Sequence, residues 1–197
     1  MLGKQKSQLG TWGSLVGMID GDGRVIWPVP IPPVRRYMQW NGHAALRCCT
    51  SLRFLDACQP NIAAIFRYWN DKRGQRRMPA RRDLDPVDLK PYLPSIMLVD
   101  VYQPLRLTYR LVGTREAEAR GYDPTGKAVE SHFVGDSWPF VKSKYSYVVE
   151  HGSFLYDEDQ APSSAHRLRE AGAIFLPLSE DDTQVNMICV YTDYFLP

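Results

Sequence analysis

The sequence predicts an α+β domain built on a five-stranded antiparallel sheet, and three observations carry that expectation. Two strand-like segments, "SIMLVDVY" (95–102) and "LRLTYRLVG" (105–113), are separated only by Gln103 and Pro104. Two helical segments follow. Three further strand-like segments come after them, reaching residue 195. Strands in two blocks with helices between them favour antiparallel neighbours, whereas a doubly wound parallel sheet alternates strand and helix throughout.

Each element has its own local reason. Residues 1–50 read as a Pro- and Gly-rich extension. "IWPVPIPPVRR" removes amide donors and favours extended, polyproline-like backbone, so most of this stretch is expected to be disordered. Met38 could serve as an alternative start. Residues 51–197 form the expected domain. Its first helix opens at Pro60, and Ile62, Ile65, Phe66 and Trp69 make one apolar stripe at i, i+3, i+4, i+7. Asp85 can cap a short turn beginning at Pro86, which Pro91 and Pro94 stop. In 105–113, Leu105, Leu107, Tyr109 and Leu111 alternate with Arg106, Thr108 and Arg110, so the two sets are expected on opposite faces. "TREAEARG" reads as a short helix with Thr114 as N-cap and Gly121 past its end. Its Glu116, Glu118, Arg115 and Arg120 are expected on a solvated face. "DSWPFVKSKYSYVVEHG" is a longer amphipathic helix capped by Asp136 or Ser137, with Trp138, Val141, Tyr145 and Val148 on its inner side. Strands are expected at 153–158, 164–179 and 183–195, with "SEDDT" turning between the last two.

Composition narrows the function classes. With 44% hydrophobic and 12% aromatic residues in a 197-residue chain, a folded core is assured. No run of eighteen apolar residues occurs, so no membrane span is expected. Lys4 and Lys6 precede an apolar stretch interrupted by Thr11, Ser14 and glycines, which is a poor signal peptide. The four cysteines suit a reducing, cytoplasmic setting. The adjacent Cys48 and Cys49 lack zinc-ligand spacing, so no metal is expected. Charge is uneven. Residues 1–82 hold 14 Lys and Arg against 4 Asp and Glu, and the remainder holds 10 against 18. Such asymmetry marks an interaction surface or a basic tail.

Few patterns carry chemistry. "GYDPTGKA" (121–128) approaches a phosphate-binding loop, but its first glycine ends a helix, and Ala128 stands where a magnesium-binding Ser or Thr belongs. A turn is expected there. The basic run with Arg76, Arg77, Arg81 and Arg82 could contact phosphate or anionic lipid, but it lacks interleaved aromatics and is followed by "DLDPVDL". No nucleic-acid partner is expected. The histidines are scattered, and no nucleophile elbow or zinc-protease motif occurs. The Asp157, Glu158 and Asp159 cluster is expected at a solvent-facing strand end. Arg110, His132, Trp138 and Tyr145 are candidates for a ligand pocket, and an arginine buried among aromatics needs an anionic or carbonyl partner.

The order "YWNDKRGQRRMPARRDLDPVDLKPYLP", "IMLVDV", "YRLVGT", "GYDPTGK" and "IFLPLSED" resembles the alphaproteobacterial family of stand-alone PAS-type domains. The resemblance covers roughly residues 60–195. It implies a PAS-like five-stranded sheet with short helices on one face, and a pocket between sheet and helices. It also implies a sensory or adaptor role and a homodimer formed through the flanking helix at residues 52–70. Arg110, Gly113, Gly121, Gly126 and Lys127 fall on pattern positions that look like determinants of fold. His132 is the nearest residue to flavin or haem chemistry and fits neither by spacing, so the cofactor is unknown. With no output domain recognised after the last strand, signalling would pass through an unidentified signalling protein or a change in dimer state, in response to a small metabolite. Two other readings stay open: a small-molecule enzyme, which requires perturbed ionisable groups around Tyr145, and a nucleic-acid or membrane-surface binder using residues 67–82.

Overall fold

The computed structural model describes residues 48–134, 137–158 and 169–195, together with the pairs 18–19 and 25–26. Two compact units divide the chain at Ile31 and Pro32. In the first, β1 (Met18–Ile19) pairs antiparallel with β2 (Val25–Ile26). The second unit contains every other element. Apart from these pairs and residues 48–50, the extension expected to be disordered lies outside the described residues.

In the second unit β3 (Cys48–Cys49) precedes a 3-10 turn at Leu52–Asp56 and α1 (Pro60–Arg73). Then come β4 (Ile96–Tyr102), β5 (Arg106–Val112), α2 (Thr114–Arg120), α3 (Val129–His132) and α4 (Trp138–His151). Strands β6 (Leu155–Asp157), β7 (Arg169–Leu178) and β8 (Met187–Phe195) complete the order. The sheet runs β3-β6-β7-β8-β4-β5, and every pairing is antiparallel. The expected five strands are thus present, and the two-residue β3 adds a sixth at the β6 edge.

Pleating sends alternate residues to opposite faces. One face, which includes Ile96, Leu176 and Cys189, lies under α1 with its buried Ile62, Ile65, Phe66 and Trp69. Trp69 Nε1 donates to the Pro177 carbonyl at 2.9 Å, which fixes α1 on β7. The opposite face carries Met97, Tyr109 and Phe175 beneath α2–α4. Here Tyr145 meets Phe175 edge-on at 5.2 Å. The α4 stripe is as expected for Val141, Tyr145 and Val148, while Trp138 is half-buried against Phe133.

Four details of the sequence reading change. Thr114 is the first residue of α2, and Gly113 is its N-cap. The Gly113 amide donates to the Ile96 carbonyl at 2.8 Å, and a Cβ there would lie 2.4 Å from the carbonyl oxygens of Leu93 and Pro94. Gly113→Ala is therefore expected to lower the unfolding free energy by about 1–3 kcal/mol, read from the urea midpoint. Second, the alternation in β5 fails at its end. The register against β4 shifts between Leu98 and Val99, so Leu111 is exposed and Val112 is buried. Third, β8 begins at Met187, not Thr183. Asp181 Oδ1 accepts from Ser179 Oγ and from the amides of Thr183 and Gln184, each at 2.9 Å, which holds those residues in a turn. Fourth, Asp157 is buried and pairs with Lys144, whose ammonium lies 4.5 Å from the Phe140 ring centroid. Glu158 is exposed as expected, and Asp159 lies outside the described residues.

The "GYDPTGKA" turn matches its expectation. Gly121 is left-handed and closes α2, where a side chain would be strained. Asp123 Oδ1 accepts from the Thr125 amide and hydroxyl at 2.9 and 2.7 Å. Gly126 N–H donates to the Tyr109 carbonyl at 2.7 Å, and Tyr109 N–H donates to the Lys127 carbonyl at 3.0 Å. Lys127 serves through its backbone while its side chain is exposed. Asp85 also behaves as expected: its Oδ1 accepts the Val87 amide at 2.8 Å.

Candidate functional site

The polar groups of the helix-side core come from α2. Its seven residues place Glu116, Ala119 and Arg120 inward at i, i+3 and i+4, so a charged pair enters the core with the alanine. Side-chain exposure is 2% for Glu116 and 7% for Arg120, and Glu116 Oε2 lies 3.5 Å from Arg120 Nη2. The guanidinium has several neighbours. Nη1 donates to the His132 carbonyl at 3.3 Å, and Nη2 lies 3.1 Å from Met97 Sδ. Its centre sits 5.3 Å from the Tyr109 ring centroid, and the Tyr109 hydroxyl also donates to the His132 carbonyl, at 3.4 Å. Among the described residues, Arg120 Nε and Glu116 Oε1 are buried without a hydrogen-bond partner.

Burial raises the Glu116 carboxyl above its ordinary range; Arg120 and hydrogen bonds from Thr192 and Tyr194 oppose that rise. Desolvation likewise raises the Tyr109 phenol. Tyr145 is pushed well up by its burial, with Tyr109, Arg120 and Glu116 all close enough to act on it. The cluster therefore joins α2, α3, α4, β4, β5 and β8 around one arginine.

The sequence-predicted residues fall in three places. Tyr145 belongs to this cluster. His132 contributes its carbonyl, while its Nδ1 lies 3.1 Å from the Tyr122 hydroxyl on the exposed side. Arg110, expected among the aromatics, is instead 58% exposed, and its Nε donates to both carboxylate oxygens of Asp100 at 2.8 and 3.0 Å. The β5 register shift falls at this residue and leaves its side chain outside. Burial of an arginine among aromatics was the right physical expectation for the wrong residue. Glu116 and Arg120 were expected on a solvated face. The signal for them was available in the i, i+4 opposite charges flanking a buried-type Ala119, on a helix too short to stand without packing.

The basic run is drawn into the fold. Arg76 pairs with Asp83 at 2.6 Å, and Arg82 pairs with Glu180 at 2.5 Å. Arg77 donates from its side chain to the His151 carbonyl at 3.3 Å and from its amide to Asp182 at 2.8 Å. Arg81 donates to the Leu84 carbonyl at 3.0 Å. The Arg82–Glu180 pair and the Arg77 amide on Asp182 tie this segment to the β7–β8 turn, while the Arg76–Asp83 and Arg81–Leu84 contacts lie within the segment itself.

Beneath α1 lies a pocket of ≈ 10 Å³ lined by Ile65, Trp69, Leu84, Ile96, Leu176 and Cys189. It has about the room of one water and offers it no matching set of polar partners. Burial pushes the Cys189 thiol up to about 12. Native protein treated with iodoacetamide at neutral pH is expected to keep Cys189 unmodified, and denaturation in urea to expose it, as read by peptide mass spectrometry. Among the described residues no group of three or more His, Cys, Asp or Glu could hold a metal ion. No helix among them is long and apolar enough to cross a membrane.

A five-stranded antiparallel core with its last strand near the centre, roofed on one face by short helices over buried polar groups, is a PAS-like α+β module. The family model described as PAS domain matches residues 58–192, more than half of the chain, and the chain belongs to that family. Membership points to a sensory or signalling role. No curated protein and no solved structure matches the chain.

Proposed function

We propose that the chain is a sensory or adaptor domain of the stand-alone alphaproteobacterial PAS type, acting in the cytoplasm without catalysis. Residues 51–197 form the body of the domain, and residues 1–50 form the extension, whose end lends the sheet its edge strand β3. The domain binds a small metabolite in its helix-side core and passes the signal to a protein partner as a homodimer. One observation carries the ligand reading: a buried arginine and glutamate, each with a polar atom lacking a partner, between helices and sheet. A buried unpaired group costs stability that a bound polar ligand restores. The apolar stripe of α1 is already consumed by the sheet, so a dimer contact through this helix runs over its outer residues such as Arg67. Native mass spectrometry of freshly purified protein is the test. A dimer carrying a bound small molecule is expected. A bare monomer that no metabolite stabilises thermally would remove this reading.

A second reading, a small-molecule enzyme, draws on the perturbed groups gathered around Tyr145. The direction of those shifts counts against it. Burial favours the neutral, protonated form of both phenols and of the Glu116 carboxyl, which disfavours a charged base there. Turnover of a co-purified molecule would reverse the order of the two readings.

A further inference from the structure

The two atoms without partners have opposite hydrogen-bonding character. Arg120 Nε–H can only donate, and Glu116 Oε1, when ionised, can only accept. A group that satisfies both must present an acceptor and a donor. The site as it stands is formally neutral, one guanidinium against one carboxylate, and is more than nine-tenths buried. An added anion would leave a net negative charge in this core, which is costly without a compensating proton.

Resting on the ligand-binding reading above, we propose that the Glu116–Arg120 couple recognises a small monocarboxylic acid, bound with one proton held between its carboxyl group and Glu116. One acid oxygen accepts Arg120 Nε–H, and the other shares the proton with Glu116 Oε1. The three charged groups then sum to zero, as in the empty site. The proton comes from solvent when the ligand arrives as a carboxylate. Two carboxyl groups in contact cannot both stay ionised, so sharing one proton is the stable arrangement. Arginine suits the task because its fixed planar donors match a carboxylate edge.

The groups facing the couple leave Glu116 as the titrating partner. Tyr109 from β5, Tyr145 from α4, and Thr192 and Tyr194 from β8 bring hydroxyls. Met97 from β4 brings a thioether, and His132 from α3 turns its carbonyl inward and its ring toward Tyr122. Glu116 is the one carboxyl among them, and burial already inclines it toward protonation.

The probes are acetate, butyrate and benzoate, each set against its carboxamide, with the full chain at pH 5.5 and 7.5. At least one acid is expected to raise the melting temperature while its amide does not. Titration calorimetry in two buffers of different ionisation enthalpy is expected to show one proton taken up per acid bound. Affinity should then fall about tenfold per pH unit once Glu116 is ionised in the free protein. Glu116→Gln, a permanent donor, should bind the same acid without proton uptake; should this variant fail to fold, the wild-type proton count decides alone. Acid binding at pH 7.5 without proton uptake overturns the proposal, and so does equal binding of amide and acid. A single ordered water bridging Nε and Oε1, with no response to any acid, also overturns it. If a neutral metabolite co-purifies while no acid binds, the acid proposal falls and the sensor reading stands. If nothing co-purifies or stabilises a monomeric protein, the sensor reading falls with it.

Discussion

Arg120→Met is expected to lower the unfolding free energy by about 3–5 kcal/mol, because it strands Glu116 in the core without its counter-ion. Glu116→Leu should cost a similar amount by stranding Arg120. Replacing both at once is a different experiment. The double variant Glu116→Leu/Arg120→Met removes two desolvation penalties together with one attraction, so it should match the parent or exceed it by up to about 4 kcal/mol. The four proteins form a double-mutant cycle with strong coupling, measured by urea unfolding at neutral pH. If the two single changes simply add, the pair is not an interacting unit. Acid sharpens the contrast. A carboxyl whose folded pKa is raised stabilises the fold below its unfolded value, and that contribution is lost as pH rises through the folded value. In Arg120→Met the opposing guanidinium is gone and the elevation grows. That variant should therefore recover stability relative to the parent as pH falls toward the carboxyl range.

Trp69→Ala is the second large effect, at about 3–5 kcal/mol. Trp69 is buried in α1, contacts Phe66 at 6.0 Å between ring centroids, and donates its indole N–H to the Pro177 carbonyl. Truncation leaves a cavity beside the existing small pocket, and the Pro177 carbonyl loses its indole donor. Trp69→Phe separates the two losses: it keeps most of the volume and forfeits the hydrogen bond, so about 1–2 kcal/mol of the effect should remain. Thermal and urea denaturation of the two variants check this. Equal stability for both would mean that packing at this site has collapsed to fill the space.

The elements that sequence revealed were those whose period matched their packing. Ile62, Ile65, Phe66 and Trp69 face the sheet as their spacing requires, and Val141, Tyr145 and Val148 do the same from the other side. Turn chemistry was equally readable at Asp85, Gly121 and Asp123, because each acts on its own neighbours in the chain. The misses have two causes. Leu111 changed face through a register shift against β4, which local alternation does not contain, and Arg110 stays on the face opposite Tyr109, exposed on Asp100. Glu116, Arg120 and Asp157 looked solvated because charge usually is. Each is buried through a partner, and for Asp157 that partner lies on another element. Arg110 and Arg120 thus exchanged the roles that local pattern assigned to them. The candidate site was legible only at Tyr145 and, by its backbone, at His132.

The position of β8 has a consequence for how the domain is made. It pairs with β7 on one side and β4 on the other, so it joins the hairpin β4–β5 to the pair β6–β7. It is also the last strand in chain order. A chain that ends at residue 186 therefore holds two sheet fragments with no rung between them among the described residues. Both await residues 187–195, and the closing contacts are long-range ones of the kind that slow folding. The sheet becomes continuous only after its final strand has emerged. A premature stop ahead of Met187 would remove the seam itself, leaving two separate hairpin-sized pieces instead of a slightly shortened domain.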